Sequence, residues 1–199
     1  QIFDRIELLQ ERSIKCKNLE RYIEEELIPT VNEVIKNSRS AWSGDLDYFE
    51  SLPRKECVLS PSDLGIHNAL RERSGKVVFL DFEYFGWDDP AKLIGDFLLH
   101  PEMTLSSVLT RKWVDGAKTI FGKTVIERMA LIGPMLQLCW CLILLNGYRK
   151  DINYRHRLAN QVVAEHSTNQ LERQLQRSKA RLTRLRIGGW QFPHTETFT

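Results

Sequence analysis

Cysteine is scarce and poorly placed for bridging: the chain has four, Cys16, Cys57, Cys139 and Cys141. Cys139 and Cys141 stand two apart in a predicted helix, so their side chains diverge by about 200° and can neither bridge each other nor share a zinc with a tidy second pair. A disulfide-stapled scaffold is thereby excluded. The thiols read as small buried apolar residues, and a reducing cytoplasm is the expected setting. Also lacking is an uninterrupted apolar run of membrane-spanning length. The longest, ALIGPMLQLCWCLILL from Ala130 to Leu145, is broken by Gly133, Pro134 and Gln137 and falls short of the roughly 20 residues that a span requires. A buried core helix is expected there, and no membrane. The opening QIFDRIELLQERS carries charges where a secretory leader keeps an apolar segment. Because it opens on Gln1 and not on Met, the chain is expected to be a piece of a longer protein. No internal repeat or low-complexity tract is present.

What is there suffices for a core. With 199 residues, 42% hydrophobic and 27% charged, the chain fits one globular domain better than two. From Ile2 to about Ser38, Ile6, Leu9, Leu19, Tyr22, Ile23 and Leu27 recur at helical spacing, with Glu20, Arg21, Glu24 and Glu25 on the other face. This predicts two helices with a break near Cys16 to Asn18. A polar loop follows from Ser38 to Glu56. Next come a short strand, CVLS, a loop, a short strand around Asn68 to Leu70, the turn RERSGK and the strand VVFLDFEY, the last rich in β-branched and aromatic residues. Everything after Asp89 reads as helix: Ala91 to Leu99, Leu105 to Phe121, Val125 to Asn146 and Lys150 to Arg186, with an irregular tail over 188–199. The expected class is mainly α with a small β-hairpin, α+β.

The near balance of charge hides a split. From Arg149 to Ile187 there are ten Lys and Arg against three Asp and Glu, so this segment is basic while the remainder is acidic. Leu171, Leu175, Leu182 and Leu185 form a ladder interrupted by Ser178. Such a seam is too short to argue a coiled coil and reads as a stripe packed on the same domain beneath a solvated Arg face.

The segment SPSDLGIHNALRERSGKVVFLDFEYFGWDDP, Ser60 to Pro90, spaces Asp63, Asn68, Asp81 and Glu83 around a hairpin pattern. Phosphoryl transfer needs a carboxylate to orient the attacking hydroxyl and accept its proton, and oxygen ligands that hold Mg²⁺ against nucleotide phosphates. Asp63, with Asn68 five residues on and Asp81 returned by the hairpin, can supply that set. Asp63 and Asn68 can equally bond their own loop backbone, as such residues do in turns. A carboxylate that ends an apolar strand, as Asp81 does, has a weaker structural reading. His67 reads as an exposed loop histidine, although it could touch phosphate, and His100 as a helix end. Asp89 is a good N-cap and Pro90 a good first helical residue, so Asp89 reads as structural.

The segments PSDLGIHN and LDFEYFGWDDP resemble the catalytic core of the aminoglycoside phosphotransferase and choline kinase-like enzymes, relatives of the protein kinases. Their pattern is His-x-Asp-x-x-x-x-Asn, a hairpin, then Ile-Asp-Phe/Trp-Glu followed by Asp-Pro. The resemblance implies a kinase-like helical C-terminal lobe over 1–187, with a catalytic loop at 59–70, a metal-binding strand at 76–83 and a helical block at 90–187. It implies Asp63 as catalytic base, Asn68 and Asp81 as ligands of Mg²⁺ and hence of bound ATP, and Glu83 as a second acid near the metal. The implied activity is transfer of the ATP γ-phosphate to a hydroxyl of a small molecule. Pro61 stands where the family has its loop-supporting His, and Leu93 where many members have a further Asp. The family's nucleotide-clamping lobe, with its phosphate-covering loop and strand Lys, does not appear in this chain and is expected to lie upstream of Gln1 or to be missing altogether.

Two other readings remain open at this stage. One is a pseudokinase or non-catalytic binding module, motivated by Pro61 and the missing lobe. The other is a nucleic-acid or acidic-partner binder acting through the basic last helix, the less favoured of the two. Self-association through a lobe interface left exposed is a further expectation. The acceptor's identity stays open: SGDLDYFE is acidic while RKE and RER are not, so a sugar or other neutral polyol suits as well as a cationic aminoglycoside.

Overall fold

The computed structural model of the chain describes residues 2–42, 50–152 and 168–187. It is mainly helical with two small antiparallel sheets, α+β as expected. Helix α1 spans Ile2–Arg12 and α2 Lys17–Tyr22; a π-helical turn at Ile23–Leu27 leads into α3, Ile28–Ala41. Strands β1 (Val58–Ser60), β2 (Ala69–Arg71), β3 (Val77–Phe79) and β4 (Gly86–Asp88) precede α4 (Pro90–Leu99), α5 (Ser107–Phe121), α6 (Lys123–Leu144) and α7 (Thr168–Ile187). Over the span read as one lobe, contacts among the described residues gather into two compact units: 2–37 with 137–152 and 168–187, and 38–42 with 50–136.

In the first unit the predicted break falls at residues 13–16, and the second predicted helix runs on through the π turn to Ala41, beyond Ser38, where a loop was expected. Pro29 accounts for the turn. A proline inside a helix has no N–H to give and its ring presses on the carbonyl four residues back, here Glu25. Widening the turn relieves both problems: the Ile28 N–H bonds Ile23 C=O, five residues back, and the Thr30 hydroxyl donates to Glu26 C=O at 2.7 Å. The core joins Ile6, Leu9, Leu19, Tyr22, Leu27 and Val31 to Leu138, Leu142 and Leu145 of α6 and its extension, and to Leu171, Leu175, Leu182 and Leu185 of α7. The leucine ladder thus packs within its own unit. Its interruption, Ser178, is fully buried. The Ser178 hydroxyl donates to Cys141 C=O at 2.9 Å, so the Tyr22 hydroxyl, 2.9 Å away, donates to Ser178 Oγ. Burial raises the Cys141 thiol pKa to about 12, and all four cysteines are free. Of the helix expected from Lys150 to Arg186, residues 153–167 lie outside the described ones, as does the tail over 188–199.

Helix Lys123–Tyr148 is long and apolar enough, by length and composition, to cross a membrane, which the interrupted run had not indicated; 56% of its apolar window is buried inside the protein. In the second unit α4 packs through Ile94, Phe97 and Leu99. Gly95 faces Leu136 so closely that a Cβ would collide with it. Trp113 of α5 stacks on Phe97, centroids 3.8 Å apart, and donates its Nε1–H to Ile94 C=O at 3.3 Å.

Candidate functional site

Two short pairings frame the loop that carries Asp63. Strand β1 runs antiparallel to β4, Val58 opposite Asp88 and Ser60 opposite Gly86. Strand β2 runs antiparallel to β3, Ala69 opposite Phe79 and Arg71 opposite Val77, closed by a turn in which Gly75 takes the left-handed φ of 88°. The loop leaving β1 and the loop entering β4 are therefore held side by side. Two further bonds fasten them, Leu80 N–H to Asn68 C=O at 2.8 Å and the Ser62 hydroxyl to Tyr84 C=O at 3.0 Å, while Ser62 N–H bonds Ser60 Oγ at 3.1 Å within the first loop. Among the described residues only two non-glycines have positive φ, Ser62 at 61° and Asp81 at 60°. A side-chain-bearing residue held there is strained by roughly 1–2 kcal/mol. One of the two precedes Asp63 and the other is a candidate residue itself, and strain of this kind gathers at functional sites.

Asp63 and Asn68 meet directly. The Asn68 Nδ2 donates to Asp63 C=O at 3.1 Å and to Asp63 Oδ2 at 3.2 Å. Both partners are acceptors, which fixes the amide orientation and leaves Asn68 Oδ1 as the outward acceptor. The other carboxylate oxygen, Asp63 Oδ1, lies 3.4 Å from His100 Nε2 and 3.5 Å from His67 Nε2. The two imidazoles stack, centroids 4.0 Å apart and 13° from parallel. His100 ends α4 as its C-cap and its Nδ1 accepts from Glu102 N–H at 3.2 Å. Gly65 has no side chain where His67 lies; a Cβ there would collide with the imidazole.

Strand β3 stops at Phe79, short of the expected strand over 76–83. The left-handed backbone of Asp81 turns the chain out of the extended conformation, and Phe85 N–H closes a turn on Phe82 C=O at 3.0 Å. Asp81 and Glu83 consequently stand exposed on this turn, and neither carboxylate has a protein partner among the described residues. Strand β4, which the sequence reading left unassigned, pairs with β1. Asp89 is structural as expected: its Oδ1 accepts from Ala91 N–H at 2.8 Å and its Oδ2 from Arg128 Nε at 2.7 Å. Lys92 holds Asp88 at 2.7 Å and Asp96 at 3.0 Å. Burial works against its charge, but the two carboxylates outweigh burial and keep its pKa above the ordinary lysine value.

Sequence reasoning missed the approach of His67 and His100 to Asp63. The one available signal was an imidazole in the apolar stretch FLLHP, where a buried titratable ring calls for a polar partner. What the cluster offers chemically is a part-exposed carboxylate bonded by the Asn68 amide at one oxygen and approached by two imidazole nitrogens at the other, with the exposed Asp81 and Glu83 on a turn fastened to the same loop. Comparison with protein-family models, curated proteins and solved structures finds no match.

Proposed function

We propose that the protein is the kinase-like helical lobe of a phosphotransferase, which passes the γ-phosphoryl group of ATP to a hydroxyl of a small molecule with Mg²⁺. Asp63 is the base that orients the acceptor hydroxyl and takes its proton. Asn68 through its outward Oδ1, Asp81, and Glu83 as a second acid, are the groups that would hold the metal. This all-oxygen donor set suits Mg²⁺, a hard cation, whereas the imidazoles beside Asp63 do not belong to it. When bound, Mg²⁺ supplies neutralisation of the phosphate charge. The observation that carries the reading is the fastening of the Asp63–Asn68 loop to the Asp81 turn, with the only two left-handed non-glycine residues among the described ones at that junction.

A second feature supports the lobe reading. Leu59, Phe82, Tyr84, Phe85 and Trp87 are all more than half exposed, and large aromatic side chains grouped on two adjacent loops and strands are the mark of a surface that another body covers. The nucleotide-clamping lobe is the body proposed for it. Catalysis of this type is mostly positioning and electrostatic stabilisation, so the chain alone should bind Mg-ATP weakly and transfer little phosphate. Calorimetric titration of the chain with Mg-ATP, beside the same titration of the protein extended upstream, tests the reading. Tight binding and turnover by the extended protein are expected. An extended protein that binds Mg-ATP without turnover would make this a pseudokinase, and one that does not bind it at all would remove the kinase reading.

A further inference from the structure

We propose that His100 is the positioning residue of Asp63, its buried imidazole presenting an Nε2–H donor to the Asp63 carboxylate; this rests on the reading of Asp63 as the base. The proton's location follows from the other ring nitrogen. Glu102 N–H points at His100 Nδ1 from 3.2 Å, and a nitrogen that accepts a hydrogen bond carries no proton, so the neutral ring has its hydrogen on Nε2. That atom lies 3.4 Å from Asp63 Oδ1. The separation exceeds that of a formed N–H···O bond by a few tenths of an ångström, as is common for catalytic hydrogen bonds before substrate tightens them. His100 has little room to do otherwise: its side chain is 8% exposed, and His67 lies flat against its ring.

The carboxylate is thus oriented from two sides, Oδ2 by the Asn68 amide and Oδ1 by His100, while 37% of its side chain remains exposed for a substrate. His67 caps the arrangement. Its Nε2 is 3.5 Å from the same oxygen, and its ring occupies the space that Gly65 leaves open.

The same three residues, Asp63, His67 and His100, bring ligand atoms within 4.8 Å of one another, a nitrogen and oxygen set that could take a transition metal. One feature speaks against that use: ligation through His100 Nε2 requires its lone pair, and the Glu102 N–H assigns the ring's proton to that nitrogen.

The test needs no phosphoryl transfer. Long-range ¹H–¹⁵N imidazole correlation on the full chain, at about pH 8.5 where neutral rings predominate, is expected to show His100 as a single Nε2–H tautomer. Asp63→Ala should shift its Nε2 signal and leave the pattern of the ring otherwise intact. An Nδ1–H tautomer, or an Nε2 signal indifferent to Asp63→Ala, would overturn the proposal. So would stoichiometric Zn²⁺ binding that moves both imidazoles, which would make the cluster a metal site. In the extended protein, His100→Leu should lower kcat by about 100-fold with the nucleotide KM unchanged, the scale of an ångström's misplacement. His100→Gln, which keeps an N–H donor near the Nε2 position, should recover most of it. If His100→Leu fails to fold, the wild-type and Asp63→Ala spectra still decide. A correct tautomer in a protein that never transfers phosphate would sink the proposed function and leave the pairing of His100 with Asp63 standing.

Discussion

Among the described residues, the polar groups around Ser178 in the first unit and those around Asp63 in the second are built on opposite terms. Around Ser178 every group is satisfied: Tyr22 donates to Ser178, Ser178 donates to Cys141 C=O, and both side chains are fully buried. Around Asp63 the contacts of the imidazoles are long, the carboxylate is partly wet, and the backbone on either side is strained at Ser62 and Asp81. A closed network in a dry core specifies packing and has no capacity left for a ligand. An open one at a strained junction keeps donors and acceptors available for something that arrives later. The contrast separates substitutions expected to cost stability from substitutions expected to leave the fold in place.

The sharpest break of that contrast is Asp63→Asn. Asparagine has nearly the same shape and keeps an acceptor for the Asn68 amide, so the thermal midpoint should scarcely move. Turnover of the extended protein should fall by about 10²–10⁴-fold, the usual contribution of a general base. Asp81→Asn should act differently, weakening Mg-ATP binding more than it slows bound substrate, which titration against single-turnover kinetics separates. Equal and mild effects from both changes would put the open cluster in the same structural class as the closed one.

The closed cluster should respond in the opposite sense. Leu175 is fully buried in α7, and Leu175→Ala should destabilise the first unit by about 2–5 kcal/mol, through lost transfer energy and the cavity left behind. Urea unfolding followed by circular dichroism measures it. Ser178→Ala should cost about 1–3 kcal/mol, because Tyr22 O–H is left without its buried acceptor. Ser178→Leu would complete the ladder that the sequence interrupts, yet it should destabilise more than Ser178→Ala. A leucine there has to displace the Tyr22 hydroxyl and the Cys141 carbonyl from a filled core.

Ser178 also shows where sequence reasoning stops. Helical periodicity located the stripe, because Leu171, Leu175, Leu182 and Leu185 repeat at the spacing that one face of a helix imposes. It could not say that the missing member was a hydroxyl bridging two other helices, since Tyr22 is 156 residues away and distance in sequence conceals such pairs. At the site the loop was legible through Asp63 and Asn68, whose five-residue offset the structure turns into a direct hydrogen bond. The length of β3 was not. VVFLDFEY has β propensity throughout, and only the positive φ of Asp81 ends the strand after Phe79. His100 was invisible as a partner of Asp63 for the reason Ser178 was, lying 37 residues downstream at the end of another helix.

A smaller effect is expected at Asp89, which stands near the site but belongs to the closed kind. It caps α4 and holds Arg128, whose guanidinium lies over the Trp42 ring at 5.2 Å. Asp89→Ala should therefore lower stability by about 1 kcal/mol for the cap, with somewhat more for the uncompensated Arg128. The His100 imidazole signals should stay in place. Loss of the His100 tautomer in this variant would show that the helix end and the open cluster are one device.

A small effect on stability is expected at the exposed face as well, and it is the one that most clearly divides the two regions. Leu59 and Trp87 sit opposite each other in the β1–β4 pair at 52% and 51% exposure, and Arg54 lies over the Trp87 ring at 5.0 Å. Burying such side chains contributes roughly 25 cal/mol per Å² of apolar surface removed from water. About half of that gain is unrealised while these two side chains stay exposed. In the chain alone, a second copy is the available cover, so the protein should self-associate with rising concentration in sedimentation velocity. Leu59→Ser with Trp87→Ser should abolish that association while changing the unfolding free energy by no more than about 1 kcal/mol, since surface substitutions away from buried features are mild. A wild-type chain that stays monomeric at high concentration would mean that the exposed aromatics are not an interface. A double variant that unfolds would mean that they belong to the core after all.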